Sequence, residues 1–75
     1  MTLSELKRGE HARLLSFQGP TELVERLHEL GLHKGMEISL LQRSPFSGPL
    51  IYVISNTLIA LREVEADCIV IQKQA

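Results

Sequence analysis

A mainly β fold is predicted: a small, closed or nearly closed barrel of about five short strands, with one α-helix inserted after the first long strand. Two patterns predict it. Between Pro20 and Leu41 a helical period of apolar residues gives way to a period of two. Elsewhere the apolar runs are of strand length and are bounded by glycine, proline, serine or asparagine. Chain length is a third reason. The 75 residues are read as one domain, 1–75, and a domain of that size buries only about 60% of its unfolded surface. Closing the sheet would remove exposed edges that invite aggregation.

In chain order, Thr2 to Leu6 is a lead-in with Leu3 and Leu6 apolar, and Lys7-Arg8-Gly9-Glu10 reads as a turn. His11 to Phe17 is the first strand. Ala12, Leu14 and Ser16 share one face, and Arg13, Leu15 and Phe17 the other. That alternation is imperfect and leaves the inner face open. Gln18-Gly19-Pro20 turns the chain into the helix. Leu23, Leu27 and Leu30 then recur at i, i+4 and i+7 with Val24 beside them, while Glu22, Glu25 and Glu29 fall on the wet face. Thr21 is a candidate N-cap, with Gly19 as the other choice and Pro20 then at the first helical position. Glu22 and Arg26 are spaced for an i,i+4 pair. Gly31 should stop the helix, because the position after the cap needs positive φ, and Leu32 should fold back on Leu27.

Gly35 marks a second turn, and Met36 to Arg43 alternates cleanly as a strand. Ser44 to Pro49 cannot be interior strand, since both prolines lack the ladder donor. Leu50 to Ile54 is an apolar strand, Ser55-Asn56-Thr57 a turn with Asn56 suited to a left-handed conformation, and Leu58 to Leu61 a further strand. Glu63 to Asp67 reads as one helical turn with Ala66 tucked inward. Cys68 to Gln72 is the last strand, and Lys73-Gln74-Ala75 should fray. Five strands with a helix after the first give a barrel of the SH3-like kind.

Composition narrows the function classes. The formal net charge is −1, from 8 basic and 9 acidic residues, and no Lys/Arg cluster stands out. A nucleic-acid binder usually carries a basic face, so that class is disfavoured. The single cysteine, Cys68, forms no disulfide framework and points to a reducing compartment. No charged-then-apolar leader opens the chain, and no apolar run approaches ~18 residues, so a cytoplasmic protein without membrane insertion is expected. No P-loop, G-x-S-x-G or H-E-x-x-H occurs, and the expectation is a protein that is not an enzyme.

The stretch Arg26-Leu27-x-Glu29-Leu30-Gly31-Leu32-x-Lys34-Gly35 resembles the R-L-x-E-L-G-x-x-P-G signature of the FeoA family, ferrous iron transport protein A. Lys34 stands where that family usually has proline. Leu3 to Glu10 resembles the family's opening, and Pro45-Phe46-Ser47-Gly48-Pro49-Leu50 its central turn. Ile59-Ala60-Leu61-Arg62, then Glu65-Ala66-x-x-Ile69, resembles its close. The resemblance covers nearly the whole chain, with Leu27, Gly31 and Gly35 at the structural positions of the motif. It implies an SH3-like fold and an accessory role in bacterial ferrous iron uptake. It also implies a partner, the large membrane permease with a cytoplasmic GTP-binding domain, and a location peripheral to the inner membrane through that partner. The same domain resembles the C-terminal module of metal-dependent repressors, but no helix-turn-helix is present here.

Two surfaces are candidates for partner binding. One is the acidic ridge Glu22, Glu25 and Glu29, whose bland reading is a solvated helix face. The other is Phe46, an aromatic held between prolines, whose bland reading is a lid over one end of the barrel. The weak metal candidates are His28 and His33, near the helix end. Glu25-x-x-His28 has the i,i+3 spacing of carboxylate–histidine iron sites, but those sites draw ligands from several facing helices. No cofactor is required on this reading, and Fe(II) or Zn(II) at these histidines would be weak and adventitious. Three functions are carried forward: an interaction module that modulates the permease, a transition-metal-binding or metal-sensing protein, and, last, a nucleic-acid-binding barrel. A homo-oligomer stays open.

Overall fold

The computed structural model describes residues 1–46 and 48–74. Ser47 of the expected turn and Ala75 of the expected tail lie outside the described residues. A 3-10 turn, Leu3–Glu5, leads into β1 (His11–Phe17), α1 (Thr21–Glu29), β2 (Glu37–Arg43), β3 (Leu50–Ile54), β4 (Thr57–Leu61), α2 (Glu63–Ala66) and β5 (Ile69–Gln74). The strands form one antiparallel sheet in the order β4-β3-β2-β1-β5. This is the mainly β, SH3-like arrangement with its helix after the first strand.

Two bulges explain where simple alternation fails. In β1 the register with β5 shifts between Leu14, opposite Ile71, and Ser16, opposite Val70. Leu15 is the extra residue. Ala12 and Leu14 therefore point inward. After the bulge it is Phe17, not Ser16, that packs against the core. The same device in β2 puts Leu41 between Leu40, opposite Tyr52, and Gln42, opposite Ile51. Leu40 is buried, while Leu41 is half exposed.

The core gathers Leu3, Leu6, Leu14, Ile38, Ile54, Leu61, Ile69 and Ile71 around Tyr52, the largest fully buried side chain. The Tyr52 hydroxyl donates to the Leu3 carbonyl at 3.2 Å, so the buried oxygen is satisfied. Three carboxylates each take a backbone N–H three residues earlier: Glu5 from Thr2, Glu10 from Lys7 and Glu65 from Arg62, all at 2.8 Å. The bond from Thr2 holds the Glu5 carboxyl below its ordinary range. Lys73, beside Glu10, does the same there, helped by the Lys7 N–H.

Several expectations need correction. Lys73 and Gln74 do not fray: they pair with Ala12 and His11, and Lys73 bridges to Glu10. Cys68 is buried but precedes β5, and its thiol donates to the Val64 carbonyl at 3.4 Å. Burial, followed by the nearby Asp67 and Glu65, pushes that thiol up, away from the reactive thiolate. Thr21 is not the N-cap of α1, because Pro20 is, with no side-chain cap bond. Its carbonyl accepts the Leu23 and Val24 N–H groups at 3.1 Å.

Candidate functional site

The site is built on α1. Leu27 is its fully buried anchor, with Leu23 and Val24 half-buried beside it. Leu30, expected on the same face, is 46% exposed, and Leu32 at 2% takes its place. The reason is the helix stop. The Gly31 N–H reaches back to the His28 carbonyl at 2.9 Å and the Leu32 N–H to the Leu27 carbonyl at 3.2 Å. Gly31 has φ +93°, which swings Leu32 under Leu27. A Cβ at Gly31 would meet nothing within 4 Å, so the demand for glycine comes from the backbone conformation alone. Gly35, with φ +94°, then gives its N–H to the Leu14 carbonyl at 2.8 Å and lays β2 beside β1.

With α1 fixed in this way, Glu22, Glu25 and Glu29 are all exposed. The expected Glu22–Arg26 pair does not form. Arg26 instead bridges to Glu65 at 3.1 Å, across to α2. Glu65 is 6% exposed, and its other oxygen takes the Arg62 N–H. A carboxylate so buried is tolerated because both oxygens are partnered. Sequence reasoning missed this residue as a tie between the helices, although Arg62-x-x-Glu65 has the spacing of a helix-start bond. One consequence is electrostatic. The ion pairs among the described residues are Arg13–Glu37, Arg26–Glu65 and Lys73–Glu10, so the ridge keeps three unpaired negative charges.

Phe46 is 100% exposed and has φ +57°. It covers nothing, so the lid reading is overturned. A bulky side chain held in the left-handed region costs about 1–3 kcal/mol, and here no burial offsets it.

The histidines do not form a ligand set. His28 is exposed and lies with its ring 4.4 Å from that of Phe17, tilted by 54°. His33, also exposed, has Nδ1 3.3 Å from the Lys34 carbonyl, and lines an open groove with His11, Arg13, Lys34 and Glu37. His28 is not part of that groove. Among the described residues no three His, Cys, Asp or Glu side chains come together in a way that could hold a metal ion. No helix of the described residues is long and apolar enough to cross a membrane.

The family profile of the FeoA domain matches residues 1–73. The chain belongs to the FeoA family. That places it in a family associated with ferrous iron transport. Iron(II) transport protein A from Clostridium thermocellum is 38% identical over 96% of this chain and 44% of that chain, with a TM-score of 0.86. FeoA of Stenotrophomonas maltophilia, solved with zinc, is 36% identical over 96% of this chain and 89% of its own, with a TM-score of 0.81. It is described as an SH3 domain protein and a candidate ferrous iron transport activating factor. FeoA from Chlorobium tepidum is 32% identical over the full chain and 71% of its own, with a TM-score of 0.87. A manganese-dependent transcriptional repressor shares the fold at 16% identity, with a TM-score of 0.89 over 36% of its chain. No curated protein matches the chain.

Proposed function

We propose that this chain is a cytoplasmic, non-catalytic interaction module that binds and modulates the ferrous iron permease, the membrane protein with a cytoplasmic GTP-binding domain. FeoA-family membership over residues 1–73 carries the reading. Its surface supports it. The α1 ridge presents three unpaired carboxylates on a helix anchored from beneath, and a fixed charged face steers a partner of opposite charge. Phe46 presents an uncovered aromatic from a turn bounded by prolines, the kind of side chain that anchors interfaces.

The test is capture of detergent-solubilised permease by the purified chain, with and without GTP. Retention that weakens with salt is expected. Phe46→Asn, a residue tolerant of the left-handed conformation, should keep or raise the unfolding midpoint and lower retention. Absence of retention would sink the reading.

The zinc complex of the Stenotrophomonas maltophilia relative favours a second reading, a transition-metal-binding or metal-sensing protein. Anaerobic calorimetry with Fe(II) separates the two. The first reading expects at most weak binding. A stoichiometric site of about micromolar Kd, lost in His28→Ala or His33→Ala, would establish the second.

A further inference from the structure

The two edges of the sheet are treated differently. On β5 the N-terminal segment lies alongside: Thr2 bridges Val70, and the Ile71 N–H donates to the Met1 carbonyl at 2.9 Å. β5 also carries Lys73, a charge of the kind that blunts an edge. β4 is paired to β3 alone among the described residues. It carries no charge, no proline and no bulge.

Its free groups can be assigned. The Ser55-Asn56 turn has two residues, both with positive φ, so Ile54 and Thr57 are a hydrogen-bonded pair. Ile59 with Tyr52 and Leu61 with Leu50 follow at the same spacing. Leu58 and Ala60 therefore direct their N–H and C=O groups away from β3, to the open side. Their side chains lie on the outer face, with Leu58 65% exposed.

We infer that β4 pairs antiparallel with β4 of a second copy of this chain, about a two-fold axis at Ile59. In that register Leu58 of each copy faces Ala60 of the other, and each facing pair exchanges two backbone bonds. All four free groups on each edge are then satisfied. A register shifted by one residue would set groups already bonded to β3 against the partner and satisfy none. Ile59, half-buried on the inner face, meets its own counterpart. Beyond the strand ends, Arg62 faces Asn56 and Glu63 faces Ser55, so no like charges oppose. Because the same edge serves both copies, and β5 is covered at Val70 and Ile71 and carries a charge at Lys73 beyond them, the pairing closes at two and does not propagate.

Light scattering and sedimentation over a concentration series test this, with amide exchange read at Leu58 and Ala60. A monomer–dimer equilibrium is expected, with exchange at those two amides slowing as the dimer forms. Ala60→Pro removes a donor on the open side and leaves the β3 ladder intact. Leu58→Lys adds an edge charge. Each should shift the protein to monomer at concentrations where the parent dimerises, with an unfolding midpoint equal to the parent's at dilutions where the parent is itself monomeric certifying the fold. If Ala60→Pro fails that check, Leu58→Lys alone decides. A monomer at every concentration that solubility permits would overturn the inference. So would a dimer that survives the folded variants, or growth beyond two copies.

Discussion

The two faces of α1 are built in opposite ways. The inner face is Leu27 at full burial, Leu23 and Val24 beside it, and Leu32 brought under by Gly31. The outer face is Glu22, Glu25 and Glu29, exposed and unpaired. The inner residues are specified by volume and backbone geometry, so they tolerate little change. No packing constrains the outer residues. Like charges at i,i+4, as in Glu25 and Glu29, even cost the helix a few tenths of a kcal/mol. A face that costs stability and is kept fixed from below is suited to recognition.

That division can be broken first from the inside. Leu27→Ala should lower stability by about 2–5 kcal/mol, the range for emptying a packed leucine site. Denaturant unfolding checks it. A midpoint left unchanged would mean that α1 does not depend on its inner face. Gly31→Val comes next, at more than ~1 kcal/mol, because a β-branched residue is forced to φ +93°. Gly31→Asn should recover most of that loss, since asparagine tolerates the conformation, and recovery separates backbone strain from lost packing. The smallest effect on stability belongs to the outer face. Glu25→Lys combined with Glu29→Lys should move the midpoint by no more than about 0.5 kcal/mol, yet weaken capture of the permease. Salt should weaken capture by the parent chain and matter less for the variant. Equal capture by both would remove the ridge as the docking surface and leave Phe46.

The sequence showed the inner face incompletely, for identifiable reasons. Leu27, the stop at Gly31 and the return of Leu32 are local and periodic, and they were legible. Leu30 fits the same period, but it sits at the cap, where the chain leaves the helical path. The bulges at Leu15 and Leu41 depend on which strand lies opposite, which no period within β1 or β2 records. The same holds for Lys73 and Gln74, whose pairing with Ala12 and His11 joins the two ends of the chain. Arg26 had a plausible partner in Glu22 four residues away and took Glu65 instead, because Glu65 is buried and loses more when unpaired. The exposed ridge and Phe46 were legible as candidates. That Phe46 covers nothing needed the fold.

Tyr52 also makes the chain its own spectroscopic reporter. It is the single tyrosine, and there is no tryptophan, so apart from the weak bands of two phenylalanines the near-ultraviolet signal of the protein rises from one phenol at the centre of the barrel. Burial raises its pKa from 10.0 to about 12. A raised folded pKa means that the fold is favoured while the phenol keeps its proton, and loses that advantage as pH climbs between those values. In a jump to a pH midway between 10.0 and about 12, where the folded phenol stays protonated and the unfolded one ionises, phenolate absorbance should therefore lag the mixing and grow at the rate at which the barrel opens. An immediate rise would mean that solvent reaches the hydroxyl without opening. A delayed one would turn a bond from Tyr52 to the Leu3 carbonyl into a clock for the whole domain.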